Sequence, residues 1–478
     1  MQKIISKPIT MKKIILLVLT ILLNISVFAQ QIQIESNTLA GTKQQLPFWL
    51  WANQLGRYDR TKEFIQNFAF NGEYSSNIGY SDFNFSVVSG IDIFLGKNNS
   101  IRFTELFGQL NWKSLQLKAG AFADAEKYNG LSASNGNLAI TRNARPHPAI
   151  RIGFNRFVPI TDGFAIYGFY EEGLLNDERY VSDTRLHHKA FYFKIGNSQT
   201  LSFTGGLEHF VMWGGTHPEH GKLPGWDTYF DYVLGKSGGE NALVTDQINV
   251  LGNQFGTYQA KIEREWNKLS STLYISHPFD DRSGLELENY QDNLYGVFIE
   301  IKRPQPLVKG FLVEYYYTKD QSGPFHLVSQ DDGTNSGRGR DNYFNHGIYR
   351  SGATYEQFSM ASPFFSPIIV EDGVSKGLES TRFSGFHLGA DGWLSEEFQW
   401  KSMMSIMKHF GQYNSIGGNA YNPARKQFSY LFALKWVPSS FPLTVGASIA
   451  ADHGSQFDNG NNQSRLGMML SLKWPINQ

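Results

Sequence analysis

The sequence predicts an all-β fold, a transmembrane antiparallel β-barrel of about 18 strands whose long loops partly plug the barrel. Three observations predict this fold. Apolar and polar residues alternate with a period of two in several segments. Aromatic residues make up 15% of the chain, with 37 Phe, 23 Tyr and 10 Trp. Short connections alternate with long ones, as they do in outer-membrane barrels, where aromatic girdles also flank the bilayer.

The alternation is clearest in residues 82–95. Phe83 and Phe85 fall on one face of this segment, whereas the polar Asn84 falls on the other. Only an extended strand separates these two sets of side chains. Near Thr104 the alternation slips by one residue, which predicts a β-bulge in the following strand.

Strands were assigned where alternation is bounded by turns rich in Gly, Pro, Asn and Asp. The segments are 46–57, 63–74, 79–95, 100–112, 114–122, 148–158, 163–173, 189–197, 200–212, 256–266, 269–277, 293–302, 307–318, 381–391, 397–409, 426–437, 442–452 and 464–474. An even number of strands places both termini on one side, the periplasmic side of an outer-membrane barrel, and the longer loops on the other.

The first 29 residues have the pattern of a secretory signal peptide. Lysines precede an apolar run from Ile14 to Phe28, and Ala29 closes it with a small residue suited to cleavage. Residues 30–478 then form a single barrel domain, expected in the bacterial outer membrane. After the signal, no apolar run is long enough for a transmembrane helix. The absence of cysteine excludes disulfide bonds.

The charge balance argues against a nucleic-acid partner. The whole chain has 43 basic and 43 acidic residues, and the signal peptide carries four lysines and no acid. The remaining domain is therefore mildly acidic, whereas nucleic-acid binding favours a basic excess. The expected partners are surface polysaccharide, outer-membrane lipid and the barrel-assembly machinery, and the expected state is a monomer.

A first candidate binding site lies around Arg142 and Arg145, in the predicted loop 123–147. Guanidinium groups pair with carboxylates and phosphates, so these residues would suit an acidic glycan or a lipopolysaccharide phosphate. The alternative is that they fill the lumen, paired with acids such as Glu171.

A second candidate combines Trp213, His217 and Trp226 in a glycine-containing loop. Sugar faces stack on aromatic rings while polar groups bind the hydroxyls, so this loop could form a sugar platform. The same residues could instead serve loop packing. A zinc site formed by His209, His217 and His220 has no specific metal-binding spacing to support it.

A third candidate lies in the longest loop and comprises Arg338, Arg340, Asp341, Asn342 and Tyr343. Amide, acid and phenol groups at this density suit carbohydrate hydroxyls. A loop folded inward as a plug would use the same groups on its own backbone. We expect this loop and the tryptophan-containing loop to face the exterior and to meet over the barrel mouth.

Several short motifs occur in order over about 300 residues and together resemble one family. They are the stretches at 46–54 (LPFWLWANQ), 143–146 (NARP), 213–215 (WGG), 249–256 (NVLGNQFG), 321–324 (QSGP) and 341–345 (DNYFN). With these motifs the chain resembles the capsule assembly Wzi family, outer-membrane barrels with lectin activity that hold capsular polysaccharide at the cell surface. The resemblance implies an eighteen-stranded, partly plugged barrel that binds exported glycan.

The functional hypothesis is a non-enzymatic glycan-binding protein for attachment or assembly of capsular or other surface polysaccharide. The alternative is a diffusion channel or receptor, and the two differ in whether the lumen is open. An enzyme is disfavoured because no credible nucleophile and base pair occurs in the sequence. No cofactor or metal is expected.

Overall fold

The computed structural model describes residues 31–77, 82–96, 99–236, 250–280, 282–324, 328–329, 335–336, 340–413 and 419–476. The predicted signal peptide, residues 1–29, lies outside the described residues, and so does Arg338.

Within the described residues, eighteen antiparallel strands follow one another around a closed barrel, which confirms the predicted fold class. The strands are β1 (Gln31–Gly41), β2 (Phe64–Asn77), β3 (Phe83–Leu95), β4 (Ser100–Trp112), β5 (Leu115–Ala121), β6 (Pro148–Phe154), β7 (Phe164–Leu175), β8 (Thr184–Asn197), β9 (Leu201–Trp213), β10 (Asn253–Glu265), β11 (Leu269–Phe279), β12 (Asn293–Ile301), β13 (Gly310–Tyr317), β14 (Arg382–Trp393), β15 (Phe398–Gly411), β16 (Ala420–Trp436), β17 (Thr444–Gly454) and β18 (Gln463–Pro475). Pairing of β1 with both β2 and β18 closes the ring.

Shorter elements decorate the connections. Among the described residues the helices are α1 (Phe48–Trp51), α2 (Tyr229–Leu234) and α3 (Arg282–Leu285), with single 3₁₀ turns at Tyr128–Gly130 and Trp226–Thr228. The short strands are Val158–Thr161, which pairs with β7, and the ribbons Thr216–His217 with Gly221–Lys222, Val328–Ser329 with Asn335–Ser336, Thr354–Tyr355 with Phe358–Ser359, and Ile368–Glu371 with Val374–Leu378. Among the residues described, no helix is both long and apolar enough to cross a membrane.

The predicted strand at 46–57 is wrong. The first strand is β1, and residues 46–57 instead fold into the barrel and contain α1, whose four residues are all buried. The segment is apolar at both odd and even positions, which is typical of a piece of core rather than of a strand with one polar face. The other seventeen predicted segments correspond to β2 through β18.

The predicted β-bulge is confirmed between β3 and β4. Gly90 pairs with Glu105, but the next residue, Ile91, pairs with Phe103. Thr104 is therefore the extra residue that interrupts the alternation.

The outward faces of the strands carry an apolar band that includes Phe191, Ile275 and Leu273, all well exposed. In β11 the alternate residue Tyr274 points into the lumen and is buried. Since the strands form a closed barrel without an edge, this outward band is the surface that meets lipid.

Three connections fold into the barrel and pack on one another, as the sequence predicts for a partly plugged barrel. We call residues 46–58, 122–147 and 341–366 the plug. The ring of Phe48 stacks on that of Phe364, with centroids 5.5 Å apart. The amide of Ser362 donates to the carbonyl of Leu138 at 3.0 Å. These contacts join the three segments into one hydrophobic core inside the barrel.

The lipid-facing band gives a first prediction. Leu273→Arg near the middle of β11 should destabilise the folded barrel by about 2–4 kcal/mol, because it places a charge in the hydrocarbon layer. Gln259→Arg, which enters the lumen from β10, is the matched control and should fold normally. Equilibrium unfolding in lipid vesicles measures both; equal losses for the two variants would contradict the assigned strand faces.

Candidate functional site

The plug is fixed to the barrel wall at Glu314 of β13. This side chain points into the lumen and is fully buried. Its carboxylate accepts five hydrogen bonds, from Ser132 Oγ (2.5 Å), Ala133 N (3.0 Å), Ser134 Oγ (3.1 Å), Tyr274 OH (2.7 Å) and Tyr316 OH (2.7 Å). Three of these donors belong to the plug and two to the wall. A buried carboxylate needs such donors because it has lost its water.

Further anchors tie the plug to other strands. Asp452 of β17 accepts a hydrogen bond from the amide of Phe48 at 2.8 Å. On β14, a ring nitrogen of His387 lies 2.7 Å from the carbonyl oxygen of Leu131. On β10, Thr257 hydrogen-bonds the Asn137 side chain at 3.2 Å. The plug thus lies against the wall from β10 to β17 and, through the ion pair of Arg57 with Asp92 at 3.1 Å, also against β3.

On the other side of the lumen, a cavity of about 450 Å³ lies between residues 122–147 and the wall formed by β6 to β11. At one end it is lined by Arg145 and His147, which precede β6, and at the other by 155–157, which follow β6. The cavity therefore extends along the length of this strand, roughly 20 Å at a rise of about 3.3 Å per residue.

The charged lining of the cavity is mostly basic. The basic residues are Lys127, Arg142, Arg145, Arg151, Arg156 and Lys261, and the acidic residues are Asp124, Glu171 and Glu208. Arg151 is neutralised, because it contacts Asp124 at 2.7 Å and Glu171 at 2.6 Å. Arg145 lies 3.5 Å from Glu356 of the plug.

Three of these cations, unlike Arg151, form no ion pair with a described carboxylate. Among the described residues, Lys127, Arg142 and Arg156 have no carboxylate oxygen within 4.0 Å. Arg142 donates from Nη1 to the backbone carbonyl of Asp124, and its Nε is buried without a hydrogen-bond acceptor in the described part of the chain. The predicted alternative of lumen arginines paired with Glu171 thus describes Arg151, whereas Arg142 keeps donor capacity toward the cavity.

Aromatic rings complete the lining. Tyr128 stacks on Tyr274 with centroids 4.7 Å apart, and Tyr167, Phe157 and Tyr192 lie along the wall. Aromatic rings that lie beside cations and an amide group suit a sugar that carries an acidic group. The faces of the rings contact the C–H groups of the sugar, and the cations bind its negative charge.

The structure places Trp213 away from this cavity. It lies at the end of β9 on the outer face of the wall, is 1% exposed, and donates from Nε1 to Glu172 at 3.3 Å. Its ring meets that of Trp226 edge-on at 4.7 Å, and Trp226 is 59% exposed. The buried ring of Trp213 has no free face for a sugar, so the expected platform is corrected: Trp213 is a packing residue that supports Trp226.

His217 also has a structural position. It is 3% exposed, and its Nδ1 accepts hydrogen bonds from the backbone amides of Glu219 and His220. His209 instead hydrogen-bonds Gln254 at 3.0 Å. Over the described residues, no group of three or more His, Cys, Asp or Glu side chains is arranged to hold a metal ion.

Asp341, Asn342 and Tyr343 take part in a buried network rather than facing outward. Tyr343 is fully buried and donates its hydroxyl to Asp292 at 2.6 Å. Asp341 accepts from Ser322 at 2.8 Å. This matches the inward-folded alternative, and the expectation that these side chains are free for glycan is corrected.

Other members of this loop lie nearby. Asn342 accepts a hydrogen bond from Thr381 at 2.8 Å, and Arg340 is partly exposed with a positive φ of 53°. The loop does approach the tryptophan-containing loop, because the Tyr349 hydroxyl donates to the carbonyl of Gly214 at 3.2 Å.

Asp292 is the centre of that network. It also accepts the backbone amides of Asp320 at 2.8 Å and Gln321 at 2.7 Å. Burial raises the pKa of the Asp292 carboxyl from 3.8 to about 6, although the hydrogen bonds from Tyr343 and the two amides oppose the shift. This carboxyl thus joins the β11–β12 loop to the long loop that enters the plug.

Comparison with known proteins finds barrels of similar fold. The chain is similar to Wzi of Escherichia coli, described as an outer-membrane protein involved in group 1 capsule assembly and a carbohydrate-binding β-barrel, with 13% identity, a TM-score of 0.56, and coverage of 99% of this chain and 90% of that one. It is also similar to Pseudomonas aeruginosa OccK5 (OpdH), with 9% identity, a TM-score of 0.47, and coverage of 93% of this chain and 97% of that one. A third similar structure is OccK2 (OpdF) of the same organism, with 10% identity, a TM-score of 0.47, and coverage of 94% of this chain and 98% of that one.

Likeness at such low identity shows the fold, a closed antiparallel β-barrel of the type found in outer-membrane proteins. No family model matches the chain, and no curated protein matches it by sequence.

Sequence reasoning found Arg142 and Arg145 but missed Glu314 and Lys127. Glu314 stands in the run Leu312–Tyr317 as the one acid among apolar and aromatic residues. A lone acid at an inward position of a strand is the pattern that could have indicated a lumenal anchor. Lys127 carries no comparable pattern, because its access to the cavity depends on how the plug folds.

The Glu314 anchor gives a second prediction. Glu314→Gln keeps the shape of the side chain but replaces one acceptor oxygen by a donor. Buried donors of residues 132–134 then lose their acceptor, and each loss destabilises the plug by about 1–3 kcal/mol. The plug should then exchange amide hydrogens faster while the barrel keeps its heat-modifiable migration. Glu300→Gln is the control, since Glu300 is half-exposed and its nearest cation is Lys309 at 3.7 Å. Unchanged plug exchange in Glu314→Gln would contradict the anchor.

Asp292 gives a third prediction, on pH. Because its folded pKa lies above 3.8, the folded state keeps the proton to a higher pH than the unfolded chain. The loop should therefore lose stability as pH rises from about 4 to about 6, in the window between the two pKa values. Asp292→Asn cannot ionise and should lack this change. The ratio of the amide exchange rates of wild type and variant in residues 320–324 measures this loss of stability. A ratio that does not change with pH would contradict the prediction.

Proposed function

We propose that this outer-membrane barrel binds an acidic glycan in the lumenal cavity and serves in attachment or assembly of capsular or other surface polysaccharide, without catalysing a reaction. The observation that carries the proposal is the cavity itself, in which Lys127, Arg142 and Arg156 form no ion pair within 4.0 Å with any described carboxylate.

The first support is chemical. A guanidinium or ammonium group that faces a cavity without an acidic partner favours an anionic ligand, and hydrogen bonds to a charged group are stronger than neutral ones. The domain as a whole has no basic excess, so the concentration of cations in the cavity is local. Neighbouring rings such as Tyr128 and Tyr167 suit the apolar face of a sugar.

The second support is the partly filled lumen. The plug lies against β10 to β17 and against β3, and it is held there by the carboxylates of Glu314, Asp452 and Asp92. A partly filled lumen favours retention of a ligand over free diffusion. The similar Wzi barrel of Escherichia coli is described as carbohydrate-binding and involved in capsule assembly, which agrees with this proposal. The family resemblance of the sequence motifs agrees with it as well.

The second candidate function is a diffusion channel or receptor. It is favoured by one observation, the extension of the cavity along β6 from Arg145 to residues 155–157. In that case acidic solutes would pass beside the plug. Single-channel conductance of the purified barrel distinguishes the two, because a binding protein would conduct little and a channel would conduct steadily.

Binding gives the fourth prediction. The double variant Lys127→Ala with Arg142→Ala should lower affinity for an acidic oligosaccharide by about tenfold or more, since a hydrogen bond to a charged group contributes about 1.5–3 kcal/mol. The loss should shrink as salt rises, because ions screen the attraction. Calorimetric titration in detergent measures it.

The control for this experiment is Arg303→Ala, which removes a cation from an exposed turn outside the cavity. Its affinity should equal that of the wild type. Equal affinity of all three proteins for acidic oligosaccharides, or binding of neutral glycans alone, would place the binding site elsewhere.

A further inference from the structure

Residues 226–234, in the connection between β9 and β10, lie against the outside of the wall. Side chains of β10 such as Thr257 and Lys261 point into the lumen, where they meet the plug or line the cavity. Gln254 has the opposite parity in an unbroken register and therefore points outward. By the same parity Trp213 points outward on β9 and Lys189 on β8.

Helix α2 packs on these outward side chains. Gln254 donates to the carbonyl of Tyr232 at 3.2 Å, and Lys189 donates to the carbonyl of Val233. Tyr229 donates its hydroxyl to Glu172, which also points outward, from β7. All these contacts join the helix to the exterior face of the barrel.

The opposite face of the helix is apolar and largely exposed. Trp226, Phe230 and Leu234 recur at intervals of four residues, so they share one face of the 3₁₀ turn and the helix that follows it. They are 59%, 72% and 65% exposed. Tyr232 and Val233, which face the barrel, are buried.

The adjacent β11–β12 loop repeats the arrangement. Tyr258, outward on β10, donates its hydroxyl to the carbonyl of Leu285 at 3.3 Å. Asn289 contacts His277, outward on β11, at 3.1 Å. Leu285, Leu287 and Tyr290 of this loop are well exposed. We call residues 226–234 and 282–290 together the collar.

The collar borders directly on the lipid-facing band. On β11, His277 is covered by the collar, and Ile275, two residues along the strand, is exposed on the same outward face. On β8, Lys189 is covered and Phe191 is exposed in the same way. Two residues of a strand span about 7 Å, so the apolar surface continues from the band onto the collar.

We propose that the collar is a membrane-interface element, whose residues Trp226, Phe230 and Leu234 insert among the headgroups and upper acyl chains of the leaflet on the loop side. Short amphipathic helices with Trp, Phe and Leu on one face bind at this depth. Sugar binding would need polar groups beside the rings; Arg185 lies 5.0 Å from the centroid of the Trp226 ring, but Phe230 and Leu234 supply no polar group. The collar also covers outward polar groups such as Glu172, which would otherwise meet lipid.

Single-cysteine labelling tests this inference, because the chain contains no native cysteine. Phe230→Cys and Leu234→Cys would carry an environment-sensitive fluorophore in barrels reconstituted into phosphatidylcholine vesicles. Leu273→Cys in the lipid-facing band is the lipid reference, and Asp372→Cys in the exposed turn of the Ile368–Leu378 hairpin is the aqueous reference. Heat-modifiable migration confirms that each labelled barrel is folded.

Lipids with a spin label near the headgroup should quench the two collar positions several-fold more than Asp372→Cys, and aqueous iodide should quench them less. Both collar positions behaving like Asp372→Cys would overturn the inference. If only one of them is quenched by lipid, the shared apolar face does not act as a unit and the inference is likewise wrong. The result does not depend on glycan binding in the lumen.

Discussion

The carboxylate of Glu314 is the constraint on which the arrangement of the lumen depends. A fully buried acid requires donors, and it obtains three from plug residues 132–134 and two from Tyr274 and Tyr316. These bonds fix residues 122–147 against β11 and β13 and leave the space beside β6 to β9 open. The cavity with its basic lining is thus a consequence of where the plug is held.

The position of a residue in the alternation of its strand decides whether its side chain faces the lumen or the outer surface of the barrel. On β10, Lys261 lines the cavity, while Gln254, of opposite parity, supports the collar on the outer wall. The same strands therefore present a polar lumen on one side and a lipid-facing surface on the other. Loops at the same end of the barrel can pack either in the lumen or on the outer wall. The side chains through which a loop packs decide between these two positions.

Alternation predicted β2 to β18 and the bulge at Thr104, because half-buried strands carry one polar and one apolar face. It failed at 46–57, since a plug segment is buried on every side and its sequence is apolar in both parities. Arg142 was recognised by its charge in a long loop. Trp213 was placed wrongly because strand counting gives the end of the barrel at which a residue lies, but not whether its side chain points inward or outward.

Hydrogen exchange of the whole barrel, with and without an acidic oligosaccharide, tests the central claim most directly. The account predicts slower exchange in residues 123–147 and 155–157, which line the cavity, and no change in the collar residues 226–234. Protection of the collar with none in 123–147 would contradict the account, because the ligand would then bind on the outer wall.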